Sequence, residues 1–235
     1  MNYSLKMLRI FGSFPYDHRC APMKSKPKLL VQLDVDSTFI QQEAIDLLAA
    51  KAGVLSDVAR ITDSAMRGEI DFAQSLVFRV HLLKGLHYTA LEEVQQEILL
   101  TDGAQELVEQ LHSLGHSVSL VSGGFVQIMA PIVERLSIKY FRANVLEIES
   151  GFLTGNIEGQ IIDRAAKATA LLEFATLSGV ELANTVAIGD GANDLDMMAV
   201  AGLSIAFNAK PIVIAAADHS INEPSLRGVN KLLGL

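Results

Sequence analysis

The chain has 235 residues, half of them hydrophobic and 20% charged, with a mean hydropathy of +0.31, a composition that excludes wholesale disorder and suits one sizeable core with a smaller companion. Its formal net charge of -8 argues against a nucleic-acid partner, because phosphate backbones are neutralised by clustered Lys and Arg. A single cysteine, Cys20, allows no internal disulfide, no Cys/His spacing of metal type occurs, and no apolar run reaches the roughly 20 residues that span a bilayer, so a reducing, cytoplasmic setting with no membrane partner is expected.

Residues 1–27 carry scattered basic residues and no unbroken apolar region, which argues against a signal peptide and reads as a peripheral extension. The first element is in "KLLVQLDVDSTFIQQE" (28–43), where Leu29, Leu30, Val31 and Leu33 have the look of a short buried strand. Asp34 and Asp36 fall where that strand leaves the core, and Ser37-Thr38 follows as a turn or helix cap. Taken singly, the stretch slightly favours a plain reading, since acidic residues often end strands. Residues 39–100 are far too long for one crossover, and four helix-patterned stretches punctuated by Gly53, Gly68 and Gly85 predict an inserted helical subdomain. It is expected over the carboxyl ends of the sheet, where open α/β folds bind ligands.

Further along, 101–115 reads as a helix and "SVSLVS" (117–122) as a strand ending at Ser122. Gly123 and Gly124 follow before another helix, and a hydroxyl beside glycine N–H groups suits phosphate, although Ser-Gly-Gly is also an ordinary turn. "IVERLSIK" (132–139) is a helix candidate, 145–159 a hairpin with two Gly turns, and 164–179 a helix carrying Lys167 near its start. "NTVAIGD" (184–190) and "LSIAF" (203–207) complete four strands alternating with helices, the pattern of an α/β, Rossmann-like parallel sheet. Asp190 leaves the third strand into a loop with Gly191, Asn193, Asp194 and Asp196 and no basic residue beside them in sequence.

Two like charges about 4 Å apart repel by roughly 1 kcal/mol in water and about 4 kcal/mol at an effective dielectric of 20. Convergence of Asp34, Asp36 and Asp190 at the sheet edge therefore calls for a cation. Oxygen-only ligation by few carboxylates favours Mg2+ over Ca2+ and points to phosphoryl transfer.

The ordered set DVDST, VSGGF, a lone helical lysine and GDGANDLDM resembles the haloacid dehalogenase superfamily of phosphotransferases, from about residue 28 to the end. Within it, "DSTFIQQEAIDLLAAKAGV" and "ITDSAMRGEIDFAQSLVFRVHLLKGL" resemble the phosphoserine phosphatase family across core and insertion. The resemblance implies a core of 28–38 and 101–235 with a cap of 39–100, and hydrolysis of O-phospho-L-serine to serine and phosphate. It implies Asp34 as the nucleophile that becomes an aspartyl-phosphate, and Asp36 as acid and then base. Mg2+ would be held by Asp34, Asp190 and the Asp36 carbonyl, with Asp194 in support. Ser122, Gly123, Lys167 and Asn193 would hold the phosphate. Glu43 would take the substrate ammonium, Arg79 its carboxylate, and Met66 and Phe72 would line the site. Phe39 and Gln42 depart from the family pattern, and the residues ahead of the first strand are too few for the upstream amino-acid-binding domain of some relatives. The expected partner is the small-molecule substrate, with a homodimer left open. Alternatives are another small phosphomonoester, transfer to an alcohol acceptor, or a catalytically silent binding module.

Overall fold

The computed structural model describes residues 27–235, so Cys20 and, Pro27 apart, the N-terminal extension lie outside the described residues. Seven strands form one sheet: β1 (Leu30–Asp34), β2 (Ser117–Phe125), β3 (Tyr140–Glu149), β4 (Phe152–Glu158), β5 (Thr185–Gly189), β6 (Leu203–Phe207) and β7 (His219–Ile221). Their order is β4-β3-β2-β1-β5-β6-β7, and every neighbouring pair is parallel except the β3–β4 hairpin. The four strands expected from the sequence are the contiguous centre of this sheet.

Because side chains alternate across a strand, β1 feeds two cores at once. Val31 and Leu33 pack with α5 (Ala104–Ser113), α6 (Val126–Arg135) and α10 (Arg227–Leu233). Leu30 packs on the other face, with α7 (Arg164–Ser178), α8 (Leu195–Val200) and α9 (Pro211–Ala216). Gln32 shares the Leu30 face, and its Nε2 donates to the Lys167 carbonyl of α7 at 3.1 Å. The same alternation turns Asp34 toward α7.

Three expectations need correcting. A helix over 132–139 is displaced: α6 begins at Val126, and Pro131 lies inside it. Proline lacks the N–H that would bond the carbonyl four residues back. That carbonyl, of Gln127, instead accepts Gln95 Nε2 at 2.7 Å, which satisfies the acceptor that the helix leaves unpaired. Strand β2 does not end at Ser122 but runs to Phe125, with a register shift between Val121 and Phe125 that re-aims the Ser-Gly-Gly segment. Strand β3 begins at Tyr140, well before the expected hairpin. Arg142 and Asn144 interrupt its apolar pattern, one pairing with Glu173 at 2.5 Å and the other buried with its amide satisfied.

Between β1 and β2 lie α1 (Ala44–Ala52), α2 (Leu55–Met66), α3 (Phe72–His81) and α4 (Thr89–Glu97). Leu48, Val58, Leu76, Val80, Leu91 and Val94 gather their apolar faces, together with Phe125, Ile128, Leu146 and Leu153. The two connections into this group run side by side: Gln41 N–H donates to Leu99 O at 2.9 Å and Thr101 N–H to Phe39 O at 3.0 Å. The atypical Gln42 has a structural reason here. Its amide donates to Glu97 O at 2.9 Å and accepts the Leu99 N–H at 3.0 Å, acting as an extra ladder rung. Phe39 is fully buried in the core beneath.

Candidate active site

Asp34 ends β1 almost fully buried, with Lys167 Nζ donating to its Oδ1. Lys167 is also fully buried and donates to Asp194 Oδ1 at 2.7 Å. Its position follows from the start of α7, where the Asp163 side chain caps the helix by accepting the Ala166 N–H at 2.9 Å. The second oxygen of Asp194 accepts the Gly191 and Asp190 N–H groups at 3.0 and 3.2 Å, which shapes the loop after β5. Gly189 belongs there because a Cβ would collide with the Asp194 carboxylate. Asp190 is partly buried and accepts the Thr38 hydroxyl at 3.4 Å. Oxygens of Asp34, Asp190 and Asp194 lie within 4.8 Å of one another, a geometry and a donor set that fit a hard divalent cation.

The expectation that the acidic loop has no basic neighbour is wrong in three dimensions. Lys167 reaches Asp194, and Arg164, one turn earlier on α7, pairs with Asp196 at 2.5 Å. Two carboxylates facing one buried lysine still leave excess negative charge, so a cation remains well matched to the cluster.

Asp36 sits apart from that cluster, its carboxylate accepting the Ala44 N–H and the Ser122 hydroxyl, each at 2.8 Å. Ser122 Oγ in turn accepts the Gly124 N–H at 2.7 Å. A Cβ on Gly124 would lie 2.7 Å from Asp36 Oδ2, and one on Gly123 would lie 2.8 Å from the Phe72 ring, so glycine permits both close approaches. Asn144, which no sequence signal singles out, fixes this segment from behind. Its amide donates to the Gly123 and Gly124 carbonyls at 2.8 and 3.3 Å and accepts the Ile162 N–H at 2.8 Å, tying the segment to the approach to α7.

A cavity of about 570 Å³ opens between these strand ends and α1–α3. Asp34, Asp36, Gly123, Asp190 and Asn193 line one side, and Glu43, Met66, Phe72 and Arg79 the other. Ser122 and Lys167 lie behind the wall, bonded to the Asp36 and Asp34 carboxylates. Asp194 lies behind it too, bonded to Lys167 and to the Asp190 and Gly191 N–H groups. Glu43 is the N-cap residue of α1, but its side chain makes no capping bond and instead accepts the Ser37 hydroxyl at 2.7 Å. Ser37 holds a left-handed φ of 58° in the turn that links Asp34 to α1. Among the described residues no carboxylate comes within 4.0 Å of Arg79, whose Nε donates to the Ser75 carbonyl at 3.3 Å. Met66 is largely solvent-facing at 64% exposure and Phe72 partly buried. Asp46, Arg164 and Lys210 also line the cavity, although nothing in their local sequence marks them.

Burial and then Asp194 hold the Asp34 carboxyl well above the ordinary range despite Lys167. Burial, reinforced by Glu43, pushes Asp36 up to about 6, and burial, reinforced by Asp194 and Glu43, does the same for Asp190. Burial would depress the Lys167 amine, but Asp194 and Asp34 keep it above its ordinary value. Burial lowers Arg79, partly offset by Glu43, Asp46 and Asp36. A carboxyl whose folded pKa rises from 3.8 to about 6 favours folding at low pH and loses that contribution as pH rises through about 6. A divalent cation opposes this loss. Its addition should therefore raise Tm more at about pH 7.5 than at about pH 5; equal increments would contradict the reading.

The family profile described as haloacid dehalogenase-like hydrolase matches residues 31–199. The phosphoserine phosphatase of Streptomyces coelicolor is 51% identical over 215 residues, 92% of this chain and 52% of that protein. That of Streptococcus thermophilus is 48% identical over 209 residues, 89% of this chain and 97% of the relative. The chain thus spans about half the length of the Streptomyces relative, and also of the Mycobacterium tuberculosis one. A solved structure of a phospho-aspartyl intermediate analogue of phosphoserine phosphatase superposes with a TM-score of 0.83 at 43% identity, covering 88% of this chain and 99% of the other. A substrate-bound phosphoserine phosphatase superposes with a TM-score of 0.84 at 42% identity and the same coverage. No helix among the described residues is long and apolar enough to cross a membrane. Order of motifs, sheet topology and these likenesses agree: the chain belongs to the haloacid dehalogenase-like hydrolase family.

Proposed function

We propose that the chain hydrolyses O-phospho-L-serine to L-serine and phosphate in a Mg2+-dependent reaction that passes through an aspartyl-phosphate at Asp34. The observation that carries this reading is the composition of the cavity at the strand ends. Strand-end carboxylates suited to phosphoryl transfer face Glu43 and Arg79, a carboxylate and a guanidinium able to grip an amino acid at both charged ends. Relatives and solved structures named as phosphoserine phosphatases support the same substrate.

In this reading Asp34 attacks phosphorus, the new acyl-phosphate bond forms, and the bond from phosphorus to the serine oxygen breaks as Asp36 gives that oxygen its proton. Water then attacks phosphorus, Asp36 takes the water's proton, and the bond to Asp34 breaks. Splitting one displacement into two is the gain of covalent catalysis. Asp36, pushed up to about 6, is poised near neutrality for both roles. Lys167 holds Asp34 in place and offsets its charge. The Gly123 N–H and Asn193, which line the cavity, bind phosphoryl oxygens. The Ser122 hydroxyl and Lys167 join them as these turn from Asp36 and Asp34 toward the ligand, so that donors meet the charge where it develops. Mg2+, held by Asp34, Asp190 and the Asp36 carbonyl with Asp194 in support, supplies charge neutralisation for the carboxylates and the phosphoryl group when bound. Residues 39–100 act as a cap over the core of 28–38 and 101–235, with Met66 and Phe72 as apolar walls around the substrate. The lone cysteine and acidic charge favour a cytoplasmic setting.

Phosphate release should be measured from O-phospho-L-serine, phosphothreonine, sugar phosphates and p-nitrophenyl phosphate, each with Mg2+ and with EDTA. A metal-dependent preference for phosphoserine is expected. Metal-dependent activity led by another ester would overturn the substrate, and metal-independent activity the cofactor.

A further inference from the structure

Ser75 on α3 is 1% exposed and lines the cavity, yet its hydroxyl has no hydrogen-bond partner. Among the described residues one other buried side-chain atom, Asn230 Oδ1, shares that condition. A helical hydroxyl has a ready local acceptor in the carbonyl one turn back. Thr62, Thr169 and Thr176 all use it, at 3.1, 3.1 and 3.0 Å. The equivalent acceptor for Ser75, the Asp71 carbonyl, takes the Ser75 backbone N–H at 3.0 Å but not its hydroxyl. An unpaired hydroxyl is costly among the apolar Phe72 and Leu76 that adjoin it in the cavity wall. Its placement also bears on Arg79. The two are four residues apart on one helix and so share a face. The Ser75 carbonyl engages Arg79 Nε at 3.3 Å, while neither terminal guanidinium nitrogen has a protein hydrogen-bond partner among the described residues. The hydroxyl and the free guanidinium edge thus flank the same part of the cavity.

We infer that the Ser75 hydroxyl is a specificity contact for the carboxylate end of the substrate, completing with Arg79 and Glu43 a three-point grip on the amino acid. The inference rests on the phosphoserine reading above. The hydroxyl donates to the carboxylate, directly or through one held water, after rotation about its Cα–Cβ bond. Glu43, being acceptor-only, serves the ammonium, so the three groups divide the two charged ends between them. Free and bound states are affected in opposite senses by removing the hydroxyl: the free protein loses an unsatisfied group, and the complex loses a hydrogen bond.

Ser75→Ala tests this with three readouts. KM for O-phospho-L-serine should rise about tenfold, the worth of one such bond, with kcat within about twofold. KM for p-nitrophenyl phosphate, which has no carboxylate, should not change. Tm without ligand should stay the same or rise. Ser75→Cys, close in size but a weak donor, should reproduce the KM shift if the alanine variant folds poorly. Parallel shifts on both esters, or no shift on phosphoserine, would overturn the inference while wild-type phosphoserine turnover leaves the functional reading intact. A wild-type protein that does not turn over phosphoserine would overturn both.

Discussion

Asp34→Asn should abolish turnover, lowering kcat by at least about 10⁴-fold, because an amide cannot form the acyl-phosphate in the normal way. The fold should survive the change. Breaking a buried ion pair is usually costly, about 3–5 kcal/mol, because it strands a charge. Here Lys167 keeps Asp194 at 2.7 Å, so the lysine is not stranded. Removing Asp34 also removes a buried carboxylate whose ionisation burial and Asp194 disfavour. Those terms oppose each other, and asparagine keeps the side chain's shape. Circular dichroism and Tm close to wild type, with phosphate release lost, is the expected pair of results. Wild-type-like activity would sink the mechanism.

Arg79→Ala should reduce kcat/KM for phosphoserine by about 10- to 150-fold, the range for a hydrogen bond to a charged group, and leave p-nitrophenyl phosphate within about threefold. The structure gives a reason to expect selectivity in this loss. Arg79 is partly buried, with no carboxylate of the described residues within 4.0 Å, so its removal strands no close partner. Burial disfavours its charge, and the carboxylates that offset this, Glu43, Asp46 and Asp36, act from a distance. Its free edge therefore has more to gain from a ligand carboxylate than from the protein. An equal loss on both esters would make Arg79 a structural residue of α3.

Much of this was legible in the sequence, for a physical reason. Strand-end residues such as Asp34 and Asp190 stand out because charge interrupts a run that must be buried on both faces. The helical insertion was legible through its length and glycine spacing. Contacts closed by the fold were not. Lys167 meets Asp34 across 133 positions of sequence and Asp194 across 27, so no local window could show that the acidic loop has a basic neighbour. Asn144 interrupts an apolar pattern and so hides β3, yet it interrupts it because the Ser-Gly-Gly carbonyls need a donor there. Strand β7 has three residues, two of them exposed, which leaves no buried run to read. Gln42 departs from the family pattern, and its structural reason, two partners on the adjacent connection, is closed only by the fold.

The central claim is that phosphate passes from phosphoserine to Asp34. The most direct test is to mix the wild-type protein with O-phospho-L-serine labelled in its phosphate and Mg2+, quench in acid within the first turnovers, and map the label by peptide. The account predicts hydroxylamine-sensitive label on the peptide that carries Asp34, assigned to that side chain and absent from Asp34→Asn. Turnover without trapped label, or label on Asp36 or Ser122, would contradict it.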